Sequence, residues 1–248
     1  TVDVSTLIDW LNEADIAVTV SGQTDGAIDA LTFNSRAVAA GCLFAALPGS
    51  RVDGHDFIDR ALAAQASALL VQRSPRTPHR VPTLVVDDSA RALAVIAARF
   101  FGPLPTCLQA VTGTNGKTSV AHFVRLLYGE ESAVSVGTLG MLPSGLFDMP
   151  YLTSPDQIAL AQGLAAAAAS GWAVQTICMY SAAPTAAAAG RSSRAPSSSS
   201  SAAPACVAPP FSDGSAPPPD ISSAPSASIS ASVGAIDASI CAAASASA

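Results

Sequence analysis

The stretch of this chain best equipped for chemistry is Val111-Thr112-Gly113-Thr114-Asn115-Gly116-Lys117-Thr118-Ser119. Gly113 and Gly116 let the backbone curl closely around a phosphate without Cβ clashes. Lys117 then offers a cation to the terminal phosphates, and Thr118 a hydroxyl able to ligate a Mg²⁺ that bridges them. The flanking sequence supplies the elements such a loop needs. Residues 107–111 are a short apolar run that predicts a buried strand. Val120, Phe123, Val124 and Leu127 recur at three- and four-residue spacing, which predicts one face of a helix. Strand, glycine-bearing loop and helix together bring unpaired amide N–H groups and the positive end of a helix dipole to one place. Lys117 is also the only lysine in the chain, against eleven arginines. A sequence that otherwise uses arginine for surface charge and keeps one lysine here favours a phosphate site over an ordinary glycine turn.

The loop departs from the general G-x-x-x-x-G-K-S/T pattern, which needs glycine at position 111, where valine stands. Its shorter T-G-T-N-G-K-T/S form resembles the Mur ligases, the ATP-dependent amide-forming enzymes of peptidoglycan precursor synthesis, and their relatives the folylpolyglutamate synthetases. That resemblance implies ATP and Mg²⁺ as cofactors. It assigns ATP binding to Gly113, Thr114, Asn115, Gly116, Lys117, Thr118 and Ser119, a catalytic role to Lys117 and a metal-holding role to Thr118.

Composition narrows the partners. The net charge is −6 with no basic run, so neither nucleic acid nor an anionic membrane is an expected partner. Cys42, Cys107, Cys178, Cys206 and Cys241 are scattered without C-x-x-C spacing, which argues against a zinc site or a disulfide framework and suits a reducing cytosol. No signal pattern opens the chain and no apolar stretch is long enough to span a bilayer, so a cytoplasmic location is expected. The chain starts at Thr1 in place of methionine, consistent with a few missing residues.

The fold class expected is α/β: a small N-terminal domain over residues 1–102, the first part of a phosphate-loop parallel-sheet domain over 103–172, and a disordered tail over 173–248. Leu7, Ile8 and Leu11 predict a short amphipathic helix. Residues 28–33 and 42–47 read as strands, with Gly41 as the turn. Phe57, Ile58, Ala61 and Leu62 have helical spacing, with capping candidates at 53–56. Residues 68–71 and 83–86 are short apolar strands around a proline-bearing loop at 74–82. Residues 90–101 predict a helix stopped by Gly102-Pro103.

Two pieces of the first domain extend the resemblance. Asn34-Ser35-Arg36, then the segment 41–49, then Asp53-Gly54-His55-Asp56-Phe57-Ile58 resemble the D-S-R, G-D-L-F-x-A-L-x-G and D-G-H-D-F-I pattern of the Mur ligase N-terminal domain, which grips the UDP end of a muramyl-peptide. The match implies that Phe33, Ser35, Ser50, Arg51 and Val52 face that nucleotide. Ser35 can offer a hydroxyl to a uracil or phosphate edge, and Arg51 a cationic fork to a diphosphate. A turn hydroxyl and an exposed loop charge are the plain alternatives, and His55 reads as a capping or turn histidine. Asn34 and Cys42 stand where the family has aspartate. The first substitution keeps a turn-forming side chain, and the second loses both charge and acceptor.

Beyond the loop, residues 133–138 predict the next strand, and Gly137-Thr138-Leu139-Gly140 matches the family's G-T-x-G segment. Leu152-Thr153-Ser154-Pro155-Asp156 precedes a helix from 157 to about 170. It resembles the T-T-P-D of the ligases that add a diamino acid to UDP-MurNAc-L-Ala-D-Glu. By that resemblance Thr153 and Ser154 bind the muramyl-peptide. Ser154 with Pro155 at the first helical position is equally good capping chemistry. The substrates implied are UDP-MurNAc-dipeptide and a diamino acid, handled by a monomer.

The family pattern then stops. An acidic strand end and an S-S-H-G segment belong just beyond Gly171, yet no glutamate follows Glu131 and no histidine follows His122. From residue 173 to 248 about two thirds of the residues are Ala, Ser or Pro, with only eleven large apolar side chains in 76 residues, so this tail cannot bury a core. A shifted reading frame near Trp172 in a GC-rich gene would give this composition, as would a natural linker or stalk. The function implied by the resemblance is an ATP-dependent amide-forming ligase acting through an acyl phosphate. The alternatives are an inactive fragment that binds only a UDP-sugar nucleotide, and a folylpolyglutamate-type ligase.

Overall fold

The computed structural model describes residues 1–24, 26–49, 52–105, 107–111, 115–130, 132–152 and 155–172, and the backbone of 174–178. The chain opens with β1 (Val2–Asp3) and α1 (Val4–Glu13), in which Val4, Leu7 and Leu11 lie on one side and are fully buried. Then come β2 (Val18–Ser21), β3 (Ala27–Ile28), β4 (Ala30–Thr32) and β5 (Cys42–Ala45). A 3-10 turn at Gly54–Phe57 leads into α2 (Ile58–Ala63), followed by β6 (Ala68–Val71), β7 (Thr83–Val86) and α3 (Ser89–Phe100). The strand expected over 28–33 is divided at Asp29. There the chain changes partners, since β3 pairs antiparallel with β1 and β4 pairs parallel with β5.

The first sheet has the order β2-β7-β6-β5-β4, parallel except for β2 at one edge. Every residue of β5 is buried, as is every residue of β6. Such unbroken apolar runs arise because both faces of a parallel sheet are covered. Leu43 and Ala45 share one core with Leu7, Leu11, Leu93 and Ile96 of α1 and α3. Phe44 and Ala46 face the other way, onto Ile58 and Ala61 of α2.

The second sheet is built from β8 (Cys107–Val111), β9 (Ala133–Gly137), β10 (Gly140–Leu142) and β11 (Val174–Cys178), with α4 (Lys117–Tyr128) and α5 (Gln157–Ala169) between strands. Its order is β10-β9-β11-β8. The last strand in sequence lies between β9 and β8, parallel to both, and β10 turns back antiparallel on β9. Helix α5 is apolar nearly all round because it is buried on two sides. Ile158 and Ala161 join the core of the first sheet, and Ala167 packs with Val134, Val136, Met141 and Met149 of the second.

Three expectations are corrected here. The face of α4 given by Val120, Phe123, Val124 and Leu127 is not the buried one: Phe123 is 60% and Leu127 71% exposed, while Ala121 and Arg125 are buried. Polar anchors decide this. Arg125 Nε donates to the Ala133 carbonyl at 3.2 Å and its Nη1 to Glu130 at 3.3 Å, while Gln109 Nε2 of β8 donates to the Tyr128 hydroxyl at 2.9 Å. The cap of α5 is Asp156, whose carboxylate accepts from the amides of Ile158 and Ala159 at 3.1 and 2.9 Å, so Pro155 precedes the cap and Ser154 is not needed for it. Cys107 is disulfide-bonded, for which the scattered cysteine spacing gave no warning. In addition, β11 lies beyond residue 172, where composition places the start of the tail. Three of its five residues are β-branched, which suits a strand. The disorder expected for the rest of the tail concerns residues outside those described. Among the described residues no helix is long and apolar enough to cross a membrane.

Candidate functional site

Two groups of residues lie at the carboxyl ends of parallel strands, the edge where open α/β sheets hold ligands. The first follows β8. Asn115 and Gly116 are exposed, and Gly116 has φ +79°, a left-handed conformation that glycine adopts without steric cost. It is the N-cap of α4, and no side chain among the described residues caps that helix end. Lys117 is the first helical residue, half-buried, with Thr118 half-buried and Ser119 exposed behind it. The Thr118 and Thr138 hydroxyl oxygens are 2.8 Å apart, joining the start of α4 to the turn between β9 and β10. The helix dipole puts positive potential where this loop would meet an anion. Gly113 and Thr114 lie outside the described residues.

The second group follows β4 and β5. Because Thr32 pairs in register with Phe44, Phe33 and Ser35 emerge on the same sheet edge as the loop after Ala45. Phe33 is 40% and Val52 56% exposed, and Ser35 is half-buried. Ser50, Arg51, Thr153 and Ser154 lie outside the described residues. Asn34 does the turn work expected of it: its side-chain oxygen accepts from the Arg36 amide at 3.0 Å. Cys42 is buried, so the missing aspartate leaves a small apolar residue at the start of a buried strand.

The loop carrying Val52 is closed at its base by an antiparallel bridge between Pro48 and Asp53, and by the Gly54 amide donating to the Leu47 carbonyl at 2.9 Å. His55 braces it. Its Nδ1 is 2.6 Å from Asp53 Oδ1, and its Nε2 accepts from the Gln72 amide at 3.0 Å, an arrangement that requires the proton on Nδ1. Arg73 pairs with the other Asp53 oxygen. The His55 amide, then its ring, hold the Asp53 carboxyl below the usual aspartate range against the opposing effect of burial. His55 is thus a turn anchor at the end of β6. Sequence reasoning missed Gln72 and Arg73 in this brace, since only the parallel β5–β6 pairing brings them to Asp53. It also passed over His122, one helical turn beyond Thr118.

Among the described residues no group of three or more His, Cys, Asp or Glu could hold a metal. At the start of α4 the Thr118 hydroxyl, together with phosphate oxygens, would make a hard-oxygen set of the kind Mg²⁺ takes.

The comparisons with known proteins find one family along the chain. A model described as Mur ligase family, catalytic domain, matches residues 27–101, and one described as Mur ligase middle domain matches 111–179. The UDP-N-acetylmuramoyl-L-alanyl-D-glutamate–2,6-diaminopimelate ligase of Caulobacter vibrioides is 42% identical over 156 residues, covering 60% of this chain and 32% of that protein. The protein of the same name from Bradyrhizobium diazoefficiens is 45% identical over 136 residues, covering 54% of this chain and 28% of that protein. The chain thus spans about 30% of the length of these curated relatives. A solved structure of a ligase of that name has a TM-score of 0.55 at 22% identity, over 71% of this chain and 35% of that one, a likeness of fold. With one family's models lying in succession over the two sheets, the chain belongs, from residue 27 to 179, to the Mur ligase family.

Proposed function

We propose that this chain carries the nucleotide-binding part of an ATP-dependent ligase of peptidoglycan precursor synthesis, one that adds a diamino acid to UDP-MurNAc-L-Ala-D-Glu. The observation that carries the reading is the start of α4, where a left-handed Gly116 hands the chain to Lys117 and Thr118 directly after a parallel strand and loop. The names of the 42% and 45% identical relatives support the substrate class. On this reading the substrate carboxylate attacks the γ-phosphate of ATP, giving an acyl phosphate and ADP. The amine of the diamino acid then attacks the acyl carbon, and phosphate leaves as the amide forms. Lys117 and the first amides of α4 stabilise charge on the transferred phosphoryl group. The Thr118 hydroxyl, with the phosphate oxygens, would hold Mg²⁺, which would supply further neutralisation of that charge. Phe33, Ser35, Ser50, Arg51 and Val52 hold the UDP end, and Thr153 and Ser154 the muramyl-peptide.

A second reading is favoured by the missing glutamate and histidine beyond Glu131 and His122. In it the chain binds the UDP-sugar and does not turn over ATP. Calorimetric titration of the full chain with UDP-MurNAc-dipeptide and with ATP, together with an ATPase assay, separates the two. UDP-MurNAc-dipeptide binds under either reading, and only the ligase also binds ATP and releases phosphate in the presence of dipeptide and diamino acid. Lys117→Ala is expected to abolish turnover in a version carrying the whole ligase, a loss of about 3 kcal/mol or more in transition-state stabilisation. Unchanged turnover in that variant, or no binding of either ligand by the parent, refutes the assignment.

A further inference from the structure

His122 stands four residues after Thr118 on α4, so the two side chains share one face of the helix. Its Nδ1 is buried and has no hydrogen-bond partner among the described residues. Between this face and the β9–β10 turn lies a cavity of about 10 Å³, whose polar lining includes Thr118, His122, Ser135 and Thr138. That volume is close to the room one water molecule needs, and a small site with several polar neighbours is where an ordered water persists.

The hydroxyl pair makes the direction of hydrogen bonding matter. Thr118 Oγ1 and Thr138 Oγ1 are 2.8 Å apart, so one proton lies between two oxygens. A hydroxyl that gives a lone pair to a cation must send its proton elsewhere, and Thr138 is the acceptor at hand. The Thr138 proton then needs an acceptor of its own. A neutral imidazole protonated on Nε2 has one, at Nδ1.

We propose that His122 is a positioning residue for the Thr118 hydroxyl, acting through one water in this cavity. Donation runs from Thr118 to Thr138, from Thr138 to the water, and from the water to His122 Nδ1. This leaves a Thr118 lone pair turned toward the phosphate loop. The proposal rests on the nucleotide reading above and adds to it a residue outside the loop.

The test is ADP affinity of the full chain, measured by calorimetry with excess Mg²⁺ and with EDTA, for the parent, His122→Leu, His122→Gln and Thr138→Val. The gain in affinity on adding Mg²⁺ is expected to fall about 10- to 100-fold in His122→Leu, the range typical of a lost partner behind a metal ligand. Thr138→Val is expected to show the same loss while keeping its β-branched shape. His122→Gln, which retains an acceptor oxygen, is expected to keep most of the gain, and affinity in EDTA is expected to be alike in all four. A parent-like Mg²⁺ gain in folded His122→Leu or in Thr138→Val overturns the role of His122. Equal loss in His122→Leu and His122→Gln overturns it too, because the acceptor is then not what matters. A parent that binds no ADP overturns the nucleotide reading itself, and this proposal with it.

Discussion

Gly54→Ala tests whether the loop between β5 and α2 is held as tightly as its geometry requires. A Cβ added at Gly54 would lie 2.6 Å from the Leu47 nitrogen, 2.7 Å from the Leu47 oxygen and 3.1 Å from the Ala46 carbonyl carbon. All three are backbone atoms, so no side chain can swing aside. Reaching ordinary contact at 3.4 Å from the nearest of them means opening the base of the loop by about 0.8 Å. The bond from the Gly54 amide to the Leu47 carbonyl, now 2.9 Å, would stretch out of hydrogen-bonding range. Losing that bond costs about 1 kcal/mol. The forced backbone shift costs about 1–3 kcal/mol more. A total of about 2–4 kcal/mol lowers Tm by about 4–16 °C for a folded part of this size. Thermal unfolding of the full chain followed by circular dichroism reads the effect directly. Gly26→Ala is the control, because its Cβ meets nothing closer than 3.8 Å. The loop carries Val52, with Ser50 and Arg51 beside it, so Gly54→Ala is also expected to weaken UDP-sugar binding well below its melting temperature. A Gly54→Ala chain that melts with the parent would refute the reasoning.

Asp53→Asn probes the brace beneath the same loop. A carboxyl held below its ordinary value in the fold stabilises the protein above the ordinary range, and loses that contribution as pH falls through its folded value. Asp53→Asn should therefore lower Tm at pH 7, and the gap to the parent should narrow as pH falls below about 4. An equal gap at pH 7 and pH 3 would count against it. Asp156→Ala removes the cap of α5 and is expected to cost about 0.5–2 kcal/mol in urea unfolding, since the amides of Ile158 and Ala159 lose their acceptor. No change in the unfolding midpoint would return the capping role to Ser154.

The parts that were legible in the sequence are those fixed by short-range pattern. Residues 68–71 and 83–86 are apolar runs between turn signals, and both form strands at those bounds. Gly116-Lys117 marks a helix start because glycine there permits the left-handed turn. What could not be read depended on distant partners. The buried side of α4 is set by Arg125 and Tyr128 meeting the Ala133 carbonyl and Gln109, and an apolar count along the helix favours Phe123 and Leu127 in their place. Strand β11 was hidden because composition averaged over 76 residues masks five that suit a strand. His122 gained meaning only when β9 and β10 closed a cavity over it. At Ser154-Pro155-Asp156 two residues could cap one helix, and spacing alone favoured the wrong one.

The insertion of β11 between β8 and β9 governs how the chain can assemble as it leaves the ribosome. The first sheet has all its strands once Val86 has emerged, so it can begin to fold while synthesis continues, as N-terminal units generally do. The second sheet cannot. Among the described residues strand β8 pairs with β11 alone, so the strand that leads toward α4 waits unpaired until residues 174–178 are made. Until then Leu108, Ala110 and Val111 are exposed to chaperones and to other nascent chains, while β9 can already pair with β10 and α5 can dock on the first sheet. A ribosome stalled before residue 174 would display a folded first sheet, a β9–β10 pair, and a strand β8 with no partner beside it.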